Sequence, residues 1–465
     1  MERFVEVVTT INKAVNSFAW GPIMLVLLVG TGVYLTVLTK CIQVRKFGYI
    51  LRNTIGTLFK KRDKEDGSNL SPFEAVTTAL AGTVGTGNIA GVTGALFAGG
   101  PGAIFWMWVS AFFGMCTKFA EITLALKYRT TGEDGVHKGG PMYYIEQGMG
   151  KKFKWLALVF AFLGGLASFG IGNIAQSNEI AGTMGSIFGV DPLVTGILLA
   201  LLVGIIVIGG IKRIGQVTSY LVPFMAIFYI AAGVAVLVLR ITEIPAALAA
   251  IIKGAFSFEA VGGGVFGYAI MVAMRQGVAR GVFSNEAGLG SAPIAHAASS
   301  TDEPCEQAMW GVFEVFVDTV IICTLTGLTV ILSGVLGTEG GIASFGSNGV
   351  AAATAFNAIL PGQIGGVVIQ VGLLFFALST IVGWSYYGER CFGYLSNNNM
   401  HVINIYKLCY VLMCVVGSTS SGTLMWDIAD TLNGLMAIPN LIALLALSGV
   451  VAAETNRYFE NPMRK

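Results

Sequence analysis

The chain has 465 residues, 54% hydrophobic and 12% charged, with a mean hydropathy of +0.74. A soluble domain carries about 25% charged residues, so this composition excludes an ordinary soluble protein and fits a chain that crosses a membrane many times. The net charge of +2 is uninformative, and nothing basic is clustered enough to suggest nucleic acid; seven scattered cysteines without a CxxC pair read as free thiols, and the distant His137, His296 and His401 argue against a metal centre.

A membrane span needs about 20 mostly apolar residues. The first candidate is 17–39, which has no basic leader or small-residue cleavage site before it and reads as a membrane helix. A Lys- and Arg-rich loop follows. The second stretch, 71–100, reads SPFEAVTTALAGTVGTGNIAGVTGALFAGG. Its flanks are apolar, but its middle, 81–88, holds six glycine or polar residues. Each glycine costs about 1 kcal/mol relative to alanine in a helix interior. In lipid, freed backbone groups survive only when buried in protein or lining a wet cavity. The stretch is therefore expected to break near the membrane centre and present bare amides and carbonyls to something polar.

The third span is 103–126. A polar loop, 127–154, holds a short surface helix at 142–147. The fourth span, 155–180, carries Ser168, Asn173, Gln176 and Asn178. The fifth is 192–210, closed by the basic pair Lys212-Arg213, and the sixth is 217–239. A connection around Pro245 leads to the seventh, starting near Gly263 and again expected to be broken: GGVFGYAIMVAMRQGVARGVFSNEAGLGSAPIAHA. The eighth is 307–333. After a glycine-rich connection, whose apolar piece 350–360 is too short to cross, come the ninth (364–387), tenth (403–416) and eleventh (424–452).

The fold class expected is an all-α polytopic membrane protein with eleven transmembrane helices. Lys and Arg crowd the loops after spans one and three, the turn after span five and the tail, which puts the N-terminus outside and the C-terminus in the cytoplasm. Spans two and seven each open a run of five. Matching interruptions in two halves point to an inverted-repeat transporter with its site at the breaks. The division is then 1–70, leading helix and cytoplasmic loop; 71–240, first five-helix repeat; 241–262, external loop; 263–452, second repeat; and 453–465, cytoplasmic tail.

Bare amides and half-helix N-termini suit a carboxylate. Gly85, Thr86 and Gly87 are the expected cradle, with Thr83 and Asn88 beside it. A small-residue packing face is the plain alternative, but six such positions in eight exceed what packing needs. Gly85-x-Gly87-x-x-Ala90 also spells a dinucleotide fingerprint, which requires a βαβ unit that a membrane span cannot supply. Phe169, Asn173 and Gln176 share one face of span four; the two amides either touch a ligand or bond neighbouring helices. In span seven, 271–277 is placed at the midplane, so bare backbone near Met274, Gln276 and Gly277 is expected to receive an ammonium. Arg275 either pairs with a carboxylate or gates. In span nine, Trp384 either caps a small pocket or is ordinary packing. Buried charges need partners: Lys118 and Glu121 are spaced to pair, one of Glu314 and Asp318 is protonated or meets Arg275, and Asp427 and Asp430 lie near a helix end.

Three stretches resemble the alanine or glycine:cation symporter family: Gly85-Thr86-Gly87-Asn88-Ile89-Ala90-Gly91, then GGPGAIFWMW from Gly99, then Ser284-Asn285-Glu286-Ala287-Gly288-Leu289-Gly290-Ser291-Ala292-Pro293. The resemblance implies a leucine-transporter-like fold, five plus five inverted helices with one extra leading helix. It also implies sodium-coupled uptake of alanine or glycine through the cell membrane, no enzyme activity, no organic cofactor and a surround of membrane lipid. By matching position, it implies that Na+ is held by the carbonyls of Ala81, Val84 and Phe376 and the hydroxyls of Ser379 and Thr380. The alternative for those hydroxyls is bonding back to their own helix. Alternatives for the whole chain are a cation channel, a symporter for another small neutral solute, or coupling to protons. An intramembrane enzyme would need a nucleophile or metal constellation, and no HExxH or GxSxG is present.

Overall fold

A computed structural model describes residues 2–58, 69–133, 135–256, 266–420 and 423–460. Among these residues, eight helical stretches, some with a short interruption, are long and apolar enough to cross a membrane, from Glu6–Leu38 to Trp426–Ala446. The second and seventh stretches are interrupted, and the fifth, Pro192–Ile208, has 17 residues. The helix expected in the 127–154 loop is Pro141–Gly148, but it is packed inward, with Pro141 to Ile145 buried; further helices, Ile244–Phe256 and Asn348–Asn357, sit in the connection around Pro245 and in the glycine-rich connection.

The first stretch is not one helix. Glu2–Ala19 and Pro22–Leu38 meet at a turn at Trp20-Gly21. Pro22 lacks an amide hydrogen and so suits the first position of the second piece. The leading piece lies along Thr423–Ala446, where the Asn16 side-chain amide donates to Asp430 Oδ2 and Thr431 Oγ1, both at 3.0 Å. The eleventh stretch likewise divides, at Leu447, into Thr423–Ala446 and Ser448–Phe459. The fourth is continuous but contains a wide π-turn, Gly170–Ile174.

The second stretch starts with a capping box. Ser71 Oγ accepts from the Glu74 amide (3.2 Å) and Glu74 Oε2 accepts from the Ser71 amide (2.8 Å). These contacts satisfy amides that a helix start leaves open. Helix Pro72–Thr83 then stops, a single 3-10 turn spans Thr86–Asn88, and helix resumes over Ala90–Gly99.

In the seventh stretch the expected position of the break is corrected. Phe266–Asn285 is unbroken helix, and the interruption falls at 286–291, before the short helix Ala292–His296. Met274, Gln276 and Gly277 therefore have helical backbone and no bare groups. A lone glycine costs only about 1 kcal/mol, too little to break a packed helix. Gly277 is there for contact, since a Cβ would lie 2.3 Å from the Ala103 carbonyl oxygen. The chain breaks instead where Glu286, Gly288 and Gly290 take φ of 56°, 92° and 84°, the left-handed conformation that ends helices. Residues 263–265, where the span was expected to begin, lie outside the described residues.

The two interrupted stretches are joined end to end. Leu70, just before the second stretch, donates its amide to Ala298 (2.9 Å) and accepts from Ser300 (2.7 Å). Nearby loops carry ion pairs, Arg129–Asp302 at 2.9 Å and Arg457–Glu303 at 2.6 Å. At the far end, Gly102 packs on Gly254 so closely that a Cβ would meet its carbonyl carbon at 2.3 Å.

Candidate substrate and cation site

The first break is held open by one side chain. The Gly85 amide would close a helical turn onto the Ala81 carbonyl, but it donates instead to Asn88 Oδ1 at 2.9 Å. The Ala81 carbonyl is thereby left without its intrahelical partner. Asn88 is itself anchored, donating from Nδ2 to Asp318 Oδ1 at 2.6 Å. The Gly85 amide is thus capped and not bare, which corrects its place in the cradle. The amides of Thr86 and Gly87 have no acceptor among the described residues.

The second break repeats this device. The amides of Ala287 and Gly288 would fill the carbonyls of Phe283 and Ser284. They donate instead to Asn285 Oδ1 (3.0 Å) and Glu121 Oε1 (3.1 Å). The Gly290 amide and Asn440 Nδ2 reach the same Glu121 oxygen, at 3.1 and 2.6 Å. Two carbonyls are therefore freed at the C-terminal, partially negative end of a helix. The two breaks touch: a Cβ on Gly87 would lie 3.2 Å from the Phe283 ring and 3.9 Å from Ser284 Cα. Asp318 bridges them, taking Asn88 on Oδ1 and the Ser284 hydroxyl on Oδ2 at 2.8 Å.

Helix Ile364–Leu395 presents Phe376, Thr380, Gly383 and Tyr387, spaced three or four apart and hence on one face, to the first break. A Cβ on Gly85 would lie 2.5 Å from Thr380 Oγ1, and one on Gly383 would lie 2.7 Å from the Gly82 nitrogen. Ser379 Oγ lies 3.5 Å from the Val84 carbonyl oxygen. Both hydroxyls also donate to the Phe376 carbonyl at 2.9 Å. That back-bonding leaves their lone pairs free, whereas the Phe376 oxygen is saturated until a hydroxyl turns away.

Of the fourth-span residues, Gln176 reaches the break. Its Oε1 accepts from the Thr86 hydroxyl at 3.1 Å, and its Nε2 donates to the Ile171 carbonyl at 3.1 Å, inside the π-turn. Asn173 does not. Its amide donates to the Tyr410 carbonyl (2.7 Å) and accepts from Ser177 Oγ (3.0 Å), an interhelical bond in place of the ligand contact. Phe169 packs among Phe392, Tyr406 and Tyr410, with its ring centroid 5.2 Å from that of Tyr406. Thr83 bonds back to Ala79 and Leu80 at 3.4 Å. Trp384 stands over Gly172, where a Cβ would lie 2.4 Å from its own, and donates its indole N–H to Glu286 Oε1 at 3.0 Å.

The sodium:alanine symporter family matches residues 5–465. The chain belongs to that family.

The sodium/alanine symporter AgcS of Methanococcus maripaludis is 50% identical over 99% of this chain and 98% of its own. The probable sodium/glutamine symporter GlnT of Bacillus subtilis is 38% identical, covering 95% of this chain and 89% of its own. Among solved structures, a crystal structure of MhsT in complex with L-phenylalanine superposes with a TM-score of 0.57 at 15% identity, covering 85% of this chain and 99% of that one. That likeness concerns the fold alone, which is leucine-transporter-like. Family membership makes the chain a multi-pass membrane transporter, not an enzyme, that couples Na+ to amino-acid symport.

In this symporter-family chain the buried charges pair differently from the expectation. Lys118 meets Glu314 Oε1 across helices at 3.3 Å, not Glu121 on its own helix. Glu121 has three better-placed donors, the Gly288 and Gly290 amides of the second break and Asn440 Nδ2. Glu314 Oε2 takes His296 Nε2 at 3.0 Å, while Gln307 Nε2 donates to His296 Nδ1 at 2.8 Å, which places the imidazole proton on Nε2. Neither Glu314 nor Asp318 meets Arg275. Asp430 faces Arg280 at 3.7 Å.

Glu121, Glu286, Asp318 and the Phe283 and Ser284 carbonyls had no assigned place at the site. The available signal was Gly288 and Gly290 following Asn285-Glu286. Two glycines two apart, after acceptor side chains, mark a backbone reversal better than the isolated Gly277 does.

Proposed function

We propose that the chain is a sodium-coupled symporter for a small neutral amino acid, alanine or glycine, working by alternating access. One observation carries this reading: two helix interruptions meet, one offering unpartnered amides and the other unpartnered carbonyls. A zwitterion needs both. The Thr86 and Gly87 amides take the carboxylate, and the Phe283 and Ser284 carbonyls take the ammonium in place of the backbone near Met274, Gln276 and Gly277. Gln176 orients Thr86.

Na+ sits beside Gly85, on the Ala81 and Val84 carbonyls and the Ser379 and Thr380 hydroxyls, with Phe376 completing the set. Oxygens 2.9 to 3.5 Å apart can share one hard cation at metal–oxygen distances of about 2.3–2.6 Å, the calcium range. The ion then clamps the first break to helix Ile364–Leu395. Eleven spans and a five-plus-five inverted repeat accommodate the joined ends of the two interrupted stretches, with the N-terminus outside and the C-terminus in the cytoplasm.

Coupling is reciprocal. Alanine binds more tightly with Na+ than with an equal concentration of choline, and alanine tightens Na+ by the same factor. Equal alanine affinities in the two salts would remove the mechanism. A channel would instead pass current without saturating alanine dependence in proteoliposomes.

Trp384 sets the size limit. Trp384→Leu is expected to let valine and leucine compete with alanine roughly tenfold better, since each methylene accommodated is worth about 1–3 kcal/mol. Competition profiles for serine, valine and leucine identical to the parent's would take Trp384 out of the pocket.

A further inference from the structure

An apolar groove of about 600 Å³ runs between Pro22–Leu38, Gly102–Lys127 and Phe266–Asn285. Leu25, Val29, Val33 and Val278 wall it, and the transport site does not use it. Trp106, Arg275 and Tyr34, whose hydroxyl meets Ser448, line it as well. Arg275 is exposed, with no carboxylate within 4 Å among the described residues. The indole N–H of Trp106 is buried and has no hydrogen-bond partner among the described residues.

The depth of these groups is informative. Arg275 precedes Glu286, where the second break opens, by 286 − 275 = 11 residues. At 1.5 Å per residue that is about 16 Å, close to half the ~30 Å hydrocarbon thickness. With the break at the membrane centre, Arg275 stands where hydrocarbon meets headgroups. Trp106 packs on Gly277, two residues further in; a Cβ there would lie 2.6 Å from Trp106 Cβ. The groove below them descends through one leaflet.

Charge selects the occupant. Arg275 also lines a small polar cavity with Arg280 and Asp430, two guanidiniums against one carboxylate. We propose that the groove binds one anionic glycerophospholipid, its phosphate on Arg275 and an acyl chain along the apolar wall. The bound lipid ties the leading helix to the arm of the second interrupted stretch. This goes beyond the transport reading, and its test does not depend on transport.

Native mass spectrometry of the purified full chain in detergent, titrated with phosphatidylglycerol or phosphatidylcholine of matched acyl chains, measures binding directly. The parent should retain phosphatidylglycerol about fivefold more tightly, the worth of one arginine beside an anionic headgroup. Arg275→Gln should bring the two lipids level. Gly30 lines the groove and has open space around it, so Gly30→Phe should weaken both lipids by filling their seat. Each variant is first shown to be monodisperse with the parental melting temperature in detergent, so that loss of lipid is not loss of fold. Equal retention of the two lipids by the parent, a preference that survives Arg275→Gln, or lipid binding untouched by Gly30→Phe would each overturn the proposal.

Discussion

Lys118→Met is expected to destabilise the chain by about 3–5 kcal/mol, because it leaves a buried carboxylate without its cation. Lys118 and Glu314 are fully buried and 3.3 Å apart. Without the ammonium, Glu314 keeps only His296, whose other nitrogen is already held by Gln307. A loss of that size is a large part of the roughly 5–15 kcal/mol that keeps a typical domain folded. The double variant Lys118→Met with Glu314→Gln should recover much of the loss, since removing both charges removes the unpaired one. Thermal unfolding of the purified chain in detergent reads both. If Lys118→Met melted with the parent, or the double variant were no better than the single, this pair would not hold spans three and eight together.

Ser379→Ala combined with Thr380→Val should raise the sodium concentration for half-maximal uptake roughly 10–100-fold, at about 1.4 kcal/mol per decade. Each hydroxyl lost removes an oxygen worth about 0.5–1.5 kcal/mol net, so the pair is worth about 1–3 kcal/mol. Thr380→Val keeps the shape of the side chain against Gly85, so the change isolates the oxygen from the packing. The alanine dependence at saturating Na+ should move much less. A sodium curve superimposable on the parent's would mean that these hydroxyls serve only the Phe376 carbonyl and that the cation lies elsewhere.

The first break was legible within two residues, because its cause is local: glycines at 82, 85 and 87 and an asparagine able to cap. The second was misplaced by about ten residues. Gly277 looked like an interruption but is a contact glycine against Ala103, a distinction that depends on the neighbouring helix and not on the sequence around it. Asn173 and Gln176 illustrate the same difficulty on one helix. Both are buried amides, three residues apart. The π-turn at Gly170–Ile174 and the helix behind it direct one amide to Tyr410 and the other to Thr86.

The sequence by itself determined that the chain is a many-helix membrane protein with two interrupted stretches, and its motifs carried the family. Hydrophobic run length and clustered glycines are properties of contiguous residues and need no partner to be read. Only the tertiary structure decided which amides were withdrawn from which carbonyls, that Glu121 serves the second break while Lys118 serves Glu314, and that Asp318 bridges the two interruptions. Those choices depend on which helix faces meet. A buried polar group takes whichever complementary group the packing brings within about 3 Å, however far away it lies in the chain.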